Sequence, residues 1–372
     1  MFLALREMRR AKLRFSLLAG AVGLLVFLIL FQQALLGGLV NQFIGALRHQ
    51  SGDVLVYNDQ ARKNVEGSVI LPGQLEQVQS VEGVGAVSPV GEATFTVKAG
   101  GKELDTVLFG YVLGAPGAPT TLIDGRLPKG PNEAVASEKD AADGFAIGDT
   151  VQVLPGGASI TVVGRARDIN YSVSPVLFVD TATFEAAKKV RNPDATRILP
   201  SFLAVVPASG TSASSLAASI NRSVKGVEAL TRQEAVDGSP GVSSVRSSFA
   251  VILALFYAVV PLVTGLFFVI VTFQKASALT LLRAIGAPAS TLVRALLVQV
   301  VAVMVVGSLV AFGMYAGAIQ GVKNLGLRVE PMPALVTSVA VLALALLTSL
   351  VAVRRVLRID PLSATTGAGV QV

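Results

Sequence analysis

The sequence predicts a membrane α-helical protein: four transmembrane helices, with an α+β extracytoplasmic domain inserted between the first and second. Three observations carry that reading. The 372 residues are 52% hydrophobic, with a mean hydropathy of +0.65, too apolar for a water-soluble domain. Four runs, residues 15–47, 247–274, 295–322 and 333–353, contain no Asp, Glu, Lys, Arg or His. Each meets the roughly 20 apolar residues that a bilayer crossing needs. Residues 48–246, in contrast, have ordinary globular character, with turn signals throughout.

Taken in order, residues 1–14 read as a cytoplasmic N-terminus carrying Arg6, Arg9, Arg10, Lys12 and Arg14. The run that follows, 15–47, exceeds the roughly 7–15 apolar residues of a cleaved signal peptide, so it reads as a retained first span. Beyond Leu36 its pattern turns amphipathic. Leu39, Val40, Phe43, Ile44 and Leu47 share one helical face, which predicts a stalk leaving the membrane.

Within 48–246 the reading alternates strands with short helices. Strands are expected at 53–57, 84–87, 93–97, 104–111 and 202–206, the third and fourth forming a hairpin around AGGK. A Pro155-Gly156-Gly157 turn joins two more. Helices are expected at 72–80, 181–190 and 212–224. An outer lobe is expected within residues 95–202.

The second span, 247–273, has Pro261 at its middle, where a kink is expected. A segment at 274–291 follows, then the third span, 292–320, an outer loop, 321–332, the fourth span, 333–353, and a cytoplasmic C-terminus, 354–372. Lys275, Arg283, Arg294, Arg354, Arg355 and Arg358 all fall on the side assigned to the cytoplasm, as the positive-inside rule requires. That clustering accounts for the net charge of +7 without nucleic acid as a partner. Gly307, Gly313 and Gly317 are small residues of the kind that lets spans approach closely.

The most informative stretch is QKASALTLLRAIGA, residues 274–287. Leu279, Leu282 and Ile285 recur at helical spacing, with Leu281 alongside, and Lys275 and Arg283 supply a polar side. This predicts an amphipathic helix at the inner surface, suited to contact with a cytoplasmic protein; a plain interfacial anchor is the competing reading.

QKASALTLLRAIGAPASTLVRALLVQ resembles the loop-and-helix signature of the FtsX-like permeases, the membrane subunits of macrolide-exporter-type (type VII) ABC transporters. RRVLRIDPLSAT resembles the basic stretch and Asp-Pro-Leu motif that closes them. DGRLPKGPNEAVAS, IGDTVQV, ITVVGRARD and VKGVEALTRQEAV resemble their extracytoplasmic domain, so the likeness extends along nearly the whole chain. Residues 276–279 lack the Glu found in much of the family, and the QK-x-S start and Ala-Ile-Gly end are most similar to the heme-efflux branch.

The resemblance implies a subunit that transmits force to its outer domain, a homodimer, and a separate ATPase of the macrolide-exporter type that binds ATP-Mg. It implies ATPase coupling through Gln274, Lys275, Leu279, Leu281, Leu282, Arg283, Ala284, Ile285, Gly286 and Ala287. It further implies export of an amphipathic molecule, such as heme, a drug, a peptide or a lipid, from the bacterial cytoplasmic (inner) membrane. Leu39 and Phe43 mark the expected substrate route. An FtsX-like regulator of a cell-wall hydrolase is the alternative.

The residue inventory excludes other chemistries. With no Cys and one His, thiolate zinc sites and His-pair metal motifs are unavailable. The sole Gly-Lys pair, Gly101-Lys102, is followed by Glu103, so a Walker A loop is missing. The chain thus reads as non-catalytic, with no cofactor of its own. Spans free of ionisable groups argue against a proton- or ion-coupled carrier. His49, beside the first span, reads first as a solvated residue at the top of the stalk; an axial heme ligand is the competing reading. Tyr57, Tyr111 and Tyr171 read as packing residues of the outer domain.

Overall fold

The computed structural model describes residues 8–195, 197–274, 285, 288–321 and 331–357. They form two compact units: a membrane unit from the residues up to 36 together with those from 247 onward, and an α/β unit, Gly37–Arg246. The first helix, α1 (Lys12–Arg48), has 37 residues, about 55 Å at 1.5 Å per residue and well beyond one bilayer crossing.

The α/β unit is built on one ten-stranded sheet. After α1 come β1 (Val54–Asn58), the short α2 (Gln74–Gln79), and the hairpin of β2 (Val84–Ala99) and β3 (Lys102–Tyr111). Gly100 and Gly101, with φ of 54° and 81°, make the tight turn that the AGGK signal predicts. Next come β4 (Leu122–Gly125), β5 (Glu133–Ser137), β6 (Thr150–Val153), β7 (Ser159–Ala166) and β8 (Val176–Asp180). Then α3 (Thr181–Arg191), β9 (Phe202–Pro207), α4 (Ala213–Ser223), β10 (Val227–Thr231) and α5 (Arg232–Gly238) complete the unit.

The sheet has two regions because β2 serves both. Its first half pairs with β9, and its second half with β3 and β6. Pairing then runs β2–β3–β8–β5–β7–β6 and back to β2, closing a six-stranded ring. Alternate residues fill it, among them Phe95, Val97, Leu108, Val151, Ile160 and Val179. From α3, Phe184 packs onto β2 and β3 at Gly91 and Gly110, where a Cβ would lie 2.3 Å from its side chain. In the other region α2 and α4 cover one face of β10–β1–β9–β2, burying Val54, Val56, Val78, Leu203, Leu216 and Ile220. The opposite face is aromatic: Tyr57 lies against Phe202, and Phe109 and Tyr111 against Phe178.

The remaining long helices are α6 (Val242–Gln274), α7 (Ala289–Gly321) and α8 (Pro331–Leu357). With α1 they give the four membrane spans expected from the sequence. Their shared core includes Val22, Val26, Ile29, Val260, Phe268, Val300, Met304 and Val341. Gly23 and Gly307 allow close contact of α1 with α7: a Cβ on Gly307 would lie 2.9 Å from Val22 Cγ1 and 3.1 Å from the Ala19 carbonyl. Among the described residues, Gly313 and Gly317 have nothing within 4 Å of a built Cβ, so of the three Gly307 is the one in a close helix contact there. Helix α6 continues through Pro261, whose carbonyl accepts a bond from Thr348 Oγ1 at 2.9 Å. Polar side chains tie the spans at another level: Gln32 Nε2 donates to the Phe249 carbonyl, and Thr337 Oγ1 to Gln33 Oε1, both at 3.0 Å.

Candidate functional site

The end of α1 is built into the α/β unit by its backbone. Helical geometry breaks at Ile44, with φ −142° and ψ 19°, and Ile44 forms an isolated antiparallel bridge with Tyr171. The break exposes main-chain groups that the segment after β7 satisfies. Ser172 N donates to the Phe43 carbonyl at 2.9 Å, and Val173 N to the Gln42 carbonyl at 2.9 Å. In return Ala46 N donates to the Asn170 carbonyl at 3.1 Å. Gly45 makes the approach feasible, since a Cβ there would lie 2.2 Å from the Asp168 carbonyl oxygen.

The gripping segment is itself constrained. Asp168, Ser172 and Val173 have φ of 55°, 48° and 62°, a region costly for non-glycine residues and most of all for β-branched valine. It is anchored by Lys139–Asp168, an ion pair at 3.8 Å between largely buried side chains. Asn170 accepts from Ser137 Oγ and donates to Asp140 Oδ2, each at 3.0 Å. A second grip follows directly: Thr120 N and Oγ1 both donate to the His49 carbonyl, at 2.7 and 2.8 Å, and Ser51 N donates to the Ala118 carbonyl at 2.9 Å. The clamp therefore holds residues 42–51 from two loops.

Behind the clamp lies the aromatic face, where Tyr171 packs edge-on against Phe109 with centroids 5.5 Å apart. Glu92 is on the same face, cross-strand from Phe109, and is buried with its Oε1 unpartnered among the described residues. Burial pushes its carboxyl up to about 7; the Glu66 charge adds to the rise and Lys188 opposes it. Burial likewise raises the Tyr57 and Tyr171 hydroxyls, and Tyr111 to about 12. Burial, then the Arg48 charge, hold the half-buried His49 imidazole below its ordinary value.

Several sequence-derived site residues can be placed. Leu39 and Phe43 are partly buried on α1, and Phe43 is also a clamp residue through its carbonyl. Gln274, the last residue of α6, accepts a bond from Arg14 Nη1 at 2.8 Å, and Ile285 is 78% exposed. Lys275, Leu279, Leu281, Leu282, Arg283, Ala284, Gly286 and Ala287 lie outside the described residues. The gripping loops and Glu92 escaped the sequence reading. Gly45, a glycine inside an otherwise regular helical stripe, was the available signal.

The family model of the FtsX-like permease C-terminal domain matches residues 250–361. The chain is similar over 370 residues to the hemin transport system permease protein HrtB of Staphylococcus haemolyticus, with 23% identity and 99% of each chain covered. It is 24% identical over 374 residues to an ABC transporter permease of Mycobacterium tuberculosis, again covering 99% of each. Among solved structures, the extracellular domain of the ABC-type transporter YknZ covers 48% of this chain and 99% of its own, at 15% identity and a TM-score of 0.35. The periplasmic region of MacB from Actinobacillus actinomycetemcomitans covers 50% of this chain and 91% of its own, at 14% identity and a TM-score of 0.35. The FtsX-like permease match thus falls on the C-terminal membrane region, residues 250–361, which takes in most of α6 and all of α7 and α8.

Proposed function

We propose that this chain is the membrane subunit of an ABC exporter that passes motion from a separate ATPase to its own α/β unit, and that the exported molecule is hemin. The observation that carries the reading is the pair of connections between the two units. Both crossings, at residues 36/37 and 246/247, fall inside helices, α1 and α6. The backbone is helical through both crossings, at Gly37-Gly38 on α1 and Ser247-Ser248 on α6, so neither connection is an irregular linker that would dissipate a tilt or twist. The clamp at residues 42–51 then supplies the point where α1 delivers that motion.

Spans without ionisable residues favour an external energy source over an ion gradient. The 274–287 segment is the proposed docking element for the ATPase, and two copies of the chain with two ATPases form the working assembly in the bacterial cytoplasmic membrane. Hemin is favoured because relatives matched over 84–99% of this chain carry hemin transport in their names.

The test is reconstitution of the chain with a candidate ABC ATPase of the macrolide-exporter type. Hemin-stimulated ATP hydrolysis and ATP-dependent removal of hemin from the vesicle membrane are expected. A complex that hydrolyses ATP and activates a cell-wall hydrolase, without moving hemin, would refute the export reading.

A further inference from the structure

Inside the α/β unit the two helical connections end beside each other. Strand β1 follows α1, and strand β10 leads through α5 to the first residues of α6; the two strands pair with Val54 opposite Thr231. Sheet pairing alone does not join the helices, because segments outside helix and strand intervene on both sides. Residues 49–53 separate α1 from β1, and Ser239-Pro240-Gly241 separates α5 from α6. Gly241, with φ of 83°, is in the left-handed region that lets the chain turn there.

Both segments are braced, and Arg232 is central to the bracing. It is the first residue of α5, directly after the Thr231 N-cap, whose capping box with Glu234 fixes the helix start. Its N–H donates to the Asp53 carbonyl at 2.8 Å, and its Nη1 donates to the Gln50 carbonyl at 2.8 Å. Its Nη2 lies 3.4 Å from the Asp53 carboxylate. That ion pair joins side chains 37% and 45% exposed and is a weak surface contact by itself. The bond to Gln50 carries more, because Gln50 is buried and reaches both ways along the segment. Its Nε2 donates to the Gly52 carbonyl at 2.9 Å and to the Leu47 carbonyl, in the last turn of α1, at 3.4 Å. The guanidinium fork lets one side chain hold a carbonyl and a carboxylate together.

The other segment is closed from α5. Gln233 Nε2 donates to both Asp237 carboxylate oxygens, at 2.9 and 3.0 Å, and Asp237 pairs with Arg246 of α6. Val242, the first residue of α6, is buried, and its N–H donates to the Ser239 carbonyl at 3.2 Å. A run of bonds therefore leads from the last turn of α1 through Gln50 and Arg232 into α5, and from Asp237 and Arg246 into α6.

We infer that Arg232 is the positioning residue that makes the ends of α1 and α6 move as one inside the α/β unit. With the tie in place, a displacement arriving on either helix is shared by both; without it, each helix moves its own segment. The inference rests on the transmission of motion proposed above and is independent of the exported molecule.

The full-length chain is placed in nanodiscs with an ABC ATPase of the macrolide-exporter type and without hemin. Hydrogen–deuterium exchange is read with and without ATP and vanadate, over peptides covering residues 42–53 and 232–246. In the wild type the nucleotide should alter exchange in both. In Arg232→Gln the alteration should persist in one and fall about tenfold in the other, with ATP hydrolysis and the melting temperature of the α/β unit unchanged. Arg246→Gln, which breaks the run at its far end, gives the same split should Arg232→Gln fail to fold. A purely structural role would instead speed exchange in both peptides, with and without nucleotide, and that result overturns the inference. So does a paired response that survives both variants. A wild type with no nucleotide response removes the transmission of motion and this inference together, whereas failure to move hemin in the export assay leaves the inference intact.

Discussion

Replacing Glu92 by Gln keeps the side chain's shape while removing the charge that burial resists. The carboxyl rises from 4.5 to about 7 in the folded chain. Between those values the native state holds a proton that the unfolded state has released. Stability from this group is therefore full below about pH 4.5 and is lost as pH rises through about 7. The interval corresponds to about 3 kcal/mol at 1.36 kcal/mol per pH unit. In a domain the size of the α/β unit that equals roughly 6–12 °C in Tm, at 2–4 °C per kcal/mol. Scanning calorimetry of the detergent-solubilised chain should show the α/β transition falling between pH 5 and pH 8 in the wild type. It should be nearly flat across that range in Glu92→Gln, leaving the variant the more stable at pH 8. Parallel curves would refute the reasoning, because the pH-dependent loss would then belong to another group.

Gly45→Val places a branched side chain against the Asp168 and Asn170 carbonyls; at about 2 kcal/mol of overpacking, amide exchange at Ala46, Ser172 and Val173 should accelerate about 30-fold, measured by hydrogen–deuterium exchange. Gly307→Leu should separate α1 from α7 and lower the melting temperature of the membrane unit, while Gly313→Leu, with open space at its Cβ, should not. Leu282→Asp should abolish copurification of the ATPase while the chain still inserts in the membrane, and Arg283→Ala should weaken it less.

The four spans were legible because uncharged runs of bilayer length have few other uses, and α1, α6, α7 and α8 appear where those runs fall. The AGGK hairpin was legible for a similar reason, as two consecutive left-handed positions favour glycine. Closure of the β2–β3–β8–β5–β7–β6 ring was not. VLFVD at 176–180 is buried on every residue, so its run lacks the alternation that identifies a half-exposed strand. The clamp was hidden for a different reason. Its bonds are between main-chain groups, which every residue carries, and Asp168, Ser172 and Val173 hold left-handed conformations that their side chains disfavour. Glu92 was equally silent, because only the fold reveals which glutamate is buried.

The clamp also changes how a substitution at Phe43 must be interpreted. Phe43 belongs to the apolar stripe expected to form a substrate route, yet its carbonyl is one of the groups that bind α1 to the loop carrying Ser172 and Val173. A charge at position 43 would perturb substrate contact and clamp together, so lost efflux in Phe43→Asp alone assigns neither role. Leu39 separates them, since it lies one helical turn before the clamp and none of the clamp's bonds uses its backbone. If the stripe conducts an amphipathic molecule, Leu39→Asp reduces efflux while amide exchange at Ser172 and Val173 stays at the wild-type rate. If the stripe serves only to seat the stalk, exchange and efflux change together. The two side chains lie on one face of one helix, but the structure gives them different backbone roles, and the paired readout resolves what the stripe alone left joined.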